Sequence, residues 1–185
     1  MTYTLDQSYT TGQDNADGSG VANLRRASNN NEILGQSFTP SLNYGLNRVE
    51  LYLKKVDSPT GNIWVEIHAD GADPSAASQL GSDSASVDVS GVSTSYGYVA
   101  FDFTVPISLV AGTEYWMLLY GDYSLAADVG VYWGIDTSSP AYSGGIFGRY
   151  GNGSAAWEDL PSYDGLFKQY YLPVGGAGMF LGGVI

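Results

Sequence analysis

Any chemistry in this chain of 185 residues has to begin at His68, its single histidine. His68 follows Glu66 by two positions, the spacing that places both side chains on one face of a β-strand. A histidine beside a carboxylate can serve as a base or a metal ligand. No nucleophile accompanies it: the chain has no cysteine and no Gly-x-Ser-x-Gly motif. Without a second partner, His68 reads as a solvated surface residue. Three carboxylate pairs, Asp70 with Asp73, Glu158 with Asp159 and Asp102 with Glu114, hold the residue types of a glycosidase, which needs two acids flanking one bond. Spacing alone places none of them across a cleft, so they read as surface charges. No catalytic residue is assigned, and the expectation is that the protein is not an enzyme.

Oxygen ligands for a hard cation are offered by Asp70 and Asp73 in one loop and by residues 122–128 in another. Neither follows the acidic spacing of an EF-hand. A structural calcium is the one cofactor these loops raise, and no metal or cofactor residue is assigned. The glycines fall at turns between strands, not between a strand and a helix, so no phosphate-cradling loop is present.

The aromatic residues carry more information. Trp64 sits opposite the apolar parity of its strand, Trp116 and Tyr120 share one face, and Trp133, Tyr142, Tyr150, Trp157 and Tyr163 populate the last third of the chain. Flat rings stack on sugar faces and equally anchor protein interfaces. Trp64, Trp133, Tyr142, Trp157 and Tyr163 are therefore the surface-aromatic ligand candidates, set against the plainer reading that they fill a core. The uncharged tail, residues 173–185, holds Met179, Phe180, Leu181, Val184 and Ile185, which could insert into a neighbouring subunit as an apolar arm.

The elements that must position these residues are strands. Val49, Leu51 and Leu53 alternate with Glu50, Tyr52 and Lys54; beyond Pro59 and Gly61 the period of two returns as Ile63, Val65 and Ile67 against Trp64, Glu66 and His68. Val99, Phe101 and Phe103 mark another core strand before Pro106. Residues 115–120 are apolar on both parities. Weaker strands are expected at 3–9, 34–39, 84–89, 129–135, 146–150 and 166–172, with a hairpin bringing Trp157 back onto 146–150. A single helical turn fits 75–79. No longer window carries a 3.6-residue period.

Composition agrees. Gly numbers 25, Tyr 15 and charged residues 14% of the chain, the texture of many short strands and tight turns. With 7 Lys and Arg against 19 Asp and Glu, the net charge of −12 repels nucleic-acid backbones and anionic membranes. The absence of cysteine removes disulfides and thiolate sites. No stretch approaches the roughly 20 apolar residues of a membrane helix, and the first residues lack the pattern of a signal peptide. The fold expected is all-β: an antiparallel, two-sheet jelly-roll sandwich of about nine strands over 32–172. An N-terminal strand and extended arm over 1–31 precede it, and the tail follows.

Several fragments, in order, carry a resemblance: Leu34-Gly-Gln-Ser-Phe-Thr, Val49-Glu-Leu-Tyr-Leu, Pro59-Thr-Gly-Asn, Val65-Glu-Ile, Val99-Ala-Phe-Asp-Phe, Leu109-Val-Ala-Gly-Thr-Glu-Tyr-Trp and Leu166-Phe-Lys-Gln-Tyr. Together they resemble jelly-roll modules of secreted bacterial surface proteins and of phage structural proteins, some of them similar to carbohydrate-binding domains. The resemblance implies a fold and carries no catalytic motif. The function expected is a structural role in a phage particle, as capsid decoration or a tail or fibre accessory, docking on other virion proteins or on itself through termini and loops. The alternative is a carbohydrate-binding or adhesion module facing a cell-surface glycan, located outside the cell or on its surface. No nucleic-acid or membrane partner is expected.

Overall fold

Val49, Leu51 and Leu53 are wholly buried, as are Ile63, Val65 and Ile67, and the two stripes enter the same core. The strands that carry them, however, do not pair with each other. In this computed structural model, which describes residues 2–14, 22–24, 32–123, 129–151 and 156–173, they belong to different sheets. The turn between them carries the chain across the core. Gly61 at φ +140° makes that crossing: a Cβ there would lie 2.6 Å from Asp122 Oδ1 and 3.1 Å from the Tyr123 backbone.

The strands are β1 (Thr4–Tyr9), β2 (Asn23–Leu24), β3 (Ile33–Phe38), β4 (Tyr44–Val56), β5 (Asn62–Ala69), β6 (Val87–Asp88) and β7 (Gly97–Leu109). They continue as β8 (Tyr115–Gly121), β9 (Gly130–Trp133), β10 (Ile135–Asp136), β11 (Phe147–Tyr150), β12 (Trp157–Leu160), β13 (Asp164–Gly165) and β14 (Phe167–Tyr171). The first sheet runs β1-β14-β4-β9-β2 with β7 also on β4, the second runs β12-β11-β3-β8-β5-β6, and β10 pairs with β13 alone. Every pairing is antiparallel. The protein is an all-β, two-sheet antiparallel sandwich.

The long strand β4 organises the first sheet. One edge pairs with β7 over most of its length; the other meets β14 from Leu46 to Leu51 and then β9 from Leu53 to Val56. At the junction, Gly134 N donates to Tyr52 O, Tyr52 N to Leu166 O, and Leu166 N to Gly134 O, so the hydrogen bonding along this edge continues from β14 to β9. The count of fourteen among the described residues, against about nine expected, has a simple origin: β2, β6, β10 and β13 are two-residue pieces, too short to show a period. From β3 to β9, apart from the edge strand β6, successive strands alternate between the sheets, so these connections bridge the core.

The N-terminal segment supplies the strand expected at 3–9, β1, which hydrogen-bonds to β14, and a two-residue strand, β2, which hydrogen-bonds to β9. The expected β11–β12 hairpin is present, with Tyr150 opposite Trp157; the helical turn expected over 75–79 is instead a hydrogen-bonded turn in which Asp73 O accepts from Ala76 N and Ala77 N, and Gln79 bridges to His68. The only helical element among the described residues is a 3₁₀ turn at Val89–Gly91, capped by Asp88 accepting from Ser90 N.

Trp133 is a correction. It shares the parity of Val131 and Ile135, stands opposite Leu53, and is 0% exposed. Its Nε1 donates to Leu166 O at 2.9 Å and its ring meets Phe147 edge-on at 5.5 Å. It is a core residue and cannot serve as a surface ligand platform. Replacing so large a buried side chain leaves a cavity that the sheets cannot close, so Trp133→Ala is expected to cost about 3–5 kcal/mol in denaturant-unfolding measurements.

Candidate functional site

On β3, β5 and β8 the residues of core parity fill the interior, and the other parity builds the outward face of the second sheet. Reading across the strands, this face holds Trp157 on β12, Gly148 on β11, Gly35 on β3, Leu118 and Trp116 on β8, and Trp64 on β5. Ile33, Trp116 and Leu118 form a small cluster of their own, against which Tyr120, Ile146, Tyr150 and Trp157 pack. The glycines make room for it. A Cβ on Gly148 would lie 2.6 Å from Trp157 Cζ2, and one on Gly35 would lie 2.7 Å from Trp157 Cη2 and from Leu118 Cδ2. The Trp157 indole thus lies across two strands, edge-on to Trp116 at 5.0 Å, with its Nε1 donating to Asp159 Oδ1.

At the other side of the face, Trp64 is half-buried and stacks on Tyr120, with ring centroids 5.8 Å apart and planes within 9°. Its Nε1 donates to Glu66 Oε1 at 2.9 Å. Glu66 Oε2 meets His68 Nε2 at 2.9 Å, while His68 Nδ1 faces Ala77 O at 3.1 Å. The ring thus bridges the Glu66 carboxylate and the Ala77 carbonyl, one at each nitrogen.

His68 corrects the expectation of a solvated histidine, because it is 4% exposed. Residues 78–80 lie along the end of β5, with Ala69 N donating to Ser78 O and Leu80 N to Ile67 O, and this brings Ala77 O onto the ring at Nδ1. Burial tends to raise the Glu66 carboxyl, but hydrogen bonds from His68 and Trp64 outweigh it and hold the group below its usual range.

A depression of about 310 Å³ opens beside Trp64, lined also by Asn62, Asp83, Ser84, Ser86 and Asp122. Trp64 and Trp157 share a face but stand four strand spacings apart, about 19 Å. The other candidates fall elsewhere. Tyr142 covers one end of the core, edge-on to Phe167 at 5.1 Å, with its hydroxyl donating to Gln7 Oε1; Tyr163 also packs against the core. The candidates thus do not form one constellation. Met179, Phe180, Leu181, Val184 and Ile185 lie outside the described residues.

The acid pairs separate. Asp70 accepts from Trp116 Nε1, whereas Asp73 caps its own turn by accepting from Ser75 N and Oγ. Glu158 pairs with Arg149 at 2.7 Å while its neighbour Asp159 holds Trp157, as opposite strand parities require. Asp102 belongs to Arg48, in a two-pronged pair of 2.7 and 2.8 Å, and not to Glu114. Among the described residues no three His, Cys, Asp or Glu side chains converge as metal ligands.

Two features were not read from the sequence. The first is the outward face of the first sheet, where Tyr3, Tyr52, Tyr96, Tyr98, Tyr132 and Tyr170 interleave with Arg48, Lys54 and Lys168. Lys168 Nζ lies 3.6 Å from the Tyr98 ring centroid, Arg48 4.6 Å from that of Tyr3, and Lys54 4.7 Å from that of Tyr96. The second is a buried acid pair. Asp136 and Asp164 are cross-strand partners on β10 and β13, 1% and 3% exposed. Tyr9 donates its hydroxyl to Asp136 Oδ2 at 2.5 Å, and Tyr142 N donates to Asp164 Oδ2. Burial, followed by the neighbouring Asp136 charge, pushes the Asp164 carboxyl above its ordinary value. Even-spaced tyrosines and lysines on several strands signal a shared face only once the register is known.

The fold and faces define an antiparallel β-sandwich with two aromatic outer surfaces. No protein-family model matches the chain, and no curated protein sequence matches it.

Two titrations of opposite sign follow. Glu66 binds its proton less readily when folded, so its contribution is present above the ordinary carboxylate pKa of 4.5 and is lost as pH falls through the lower folded value. Glu66→Gln should therefore show a shallower acid limb in a plot of melting temperature against pH. Asp164 binds its proton more readily when folded, so ionisation costs stability as pH rises from its ordinary value of 3.8 through the raised one. Asp164→Asn keeps an acceptor for Tyr142 N and should melt no lower than the parent at pH 7. A lower melting temperature for that variant would show that the buried charge is stabilising.

Proposed function

We propose that this protein is a non-enzymatic structural accessory of a phage particle, a capsid decoration or a tail or fibre component, built on a sandwich of the jelly-roll kind. It works by docking on neighbouring virion subunits, and its location is the virion. The observation that carries this reading is the outward face of the first sheet. Six tyrosines and three cationic side chains are gathered there on a chain whose net charge is −12.

Tyrosine and arginine are the residue types that interfaces concentrate, because each supplies broad apolar contact together with a polar tip. The local charge is +3 from Arg48, Lys54 and Lys168 against −2 from Glu50 and Asp102. The face is thus cationic on an acidic body. Among the described residues, Lys54 makes no ion pair with a carboxylate and lies over Tyr96 and Tyr132. Such a face suits an acidic protein surface, and the rest of the chain repels the same partner at long range, which favours one docking orientation. The resemblance of the strand fragments to phage structural modules supports the setting.

A second reading, a carbohydrate-binding or adhesion module, is supported by the polar depression beside Trp64.

Particles purified from lysates that express the gene should contain the protein as a stoichiometric component by mass spectrometry. Lys54→Glu combined with Lys168→Glu should reduce incorporation roughly tenfold or more while the domain stays folded. Removal of residues 174–185 tests the arm in the same assay. Recovery of the protein only from the particle-free fraction would sink the particle reading.

A further inference from the structure

We propose that the depression beside Trp64 is a binding site for a single neutral pyranose unit of a glycan. The proposal rests on the second reading above and is independent of the particle reading. At about 310 Å³ the space is at the small end of ligand sites, which run from roughly 300 to 1,000 Å³, and one sugar ring suits it.

The aromatic wall is fixed before any ligand arrives. Tyr120 on β8 backs the indole from one side of β5, and β6 with residues 83–86 lies on the other, where the depression opens. The ring is held in its plane by the bond from Nε1 to Glu66, and Glu66 is held in turn by His68, which is pinned to Ala77 O. An anchor locked by packing and by a supporting shell of hydrogen bonds loses little freedom on binding. The engaged His68–Glu66 pair, which has no evident catalytic partner, thereby acquires a positioning role.

The remaining wall is polar. Asp122 is oriented by accepting from Asn62 N at 2.5 Å and from Asn62 Nδ2 at 3.3 Å, and Asp83 Oδ1 accepts from Gln79 Nε2 at 2.7 Å. The exposed Ser86 completes the lining with the buried Ser84, whose hydroxyl is already engaged, accepting from Val65 N and donating to Ala85 O. A pyranose presents C–H bonds on one face and hydroxyls around its rim. The first match an indole, and the second donate to carboxylates and exchange hydrogen bonds with the Ser86 hydroxyl and the Asn62 amide. The lining residues include two carboxylates and no cation, so a uronic or sialic acid, or a phosphate, is repelled. The class is therefore neutral sugars.

The test is a panel of neutral and acidic glycans against the intact protein, followed by titration of any hit. Neutral glycans should bind, and acidic ones should not. Trp64→Ala should weaken binding roughly tenfold or more, Trp64→Phe should fall between, and Asp83→Ala, at an exposed position with little risk to folding, should also weaken it. Trp157→Ala, about 19 Å away on the same face, should bind like the parent. Failure of every neutral glycan to bind would overturn both the site and the carbohydrate reading. Undiminished binding by Trp64→Ala and Asp83→Ala, or a preference for acidic glycans, would overturn the site while leaving carbohydrate recognition elsewhere on the protein.

Discussion

Two apolar stripes meeting across one core are the constraint on which the rest of this protein depends. Val49, Leu51 and Leu53 come from one sheet and Ile63, Val65 and Ile67 from the other, all without solvent exposure. Each such side chain contributes about 1.5–3 kcal/mol on burial, and placing the two strands in separate sheets lets each stripe bury the other. A hairpin would place both stripes on one face of one sheet, and they would then need a different partner. The crossing at Gly61, where no side chain fits, lets the chain make that choice within a few residues.

Once the inward parity is set, the outward parity is no longer free. The same alternation that buries Leu51 and Leu53 exposes Glu50, Tyr52 and Lys54, and burying Val65 and Ile67 turns out Trp64, Glu66 and His68. The two outer faces then diverge by composition. The first sheet gathers tyrosines and cations; the second gathers tryptophans, with Glu66, Asp70 and Asp159 hydrogen-bonded to indole nitrogens. Carboxylates that look like catalytic pairs in the chain are distributed among these tasks, one side chain at a time.

Legibility fell off with the number of strands an inference had to span. The core strands were readable because a period of two is local: Val99, Phe101 and Phe103 lie on one face, and Phe101 and Phe103 are fully packed. The 146–150 hairpin with Trp157 was readable because its partners are near in sequence. The burial of His68 was not legible because its Nδ1 partner, Ala77 O, comes from the returning segment that pairs with the end of β5, whereas Trp133, offered as a surface candidate, already shared its parity with Val131 and Ile135. The Asp136–Asp164 pair joins residues 28 positions apart on two-residue strands, and no local pattern announces it.

By itself, the sequence determined which parity of the strongest strands turns inward, that the chain is all-β, and that its overall field is acidic. These follow from alternation and composition, which are properties of neighbours along the chain and of the chain as a whole. Only the tertiary structure decided which strands lie side by side, and with that which outward residues share a face. Strand register is a long-range pairing, and its energy comes from contacts that exist only after the sheets close. The stacking of Trp64 on Tyr120, the grouping of six tyrosines around three cations, and the burial of His68 are all of that kind.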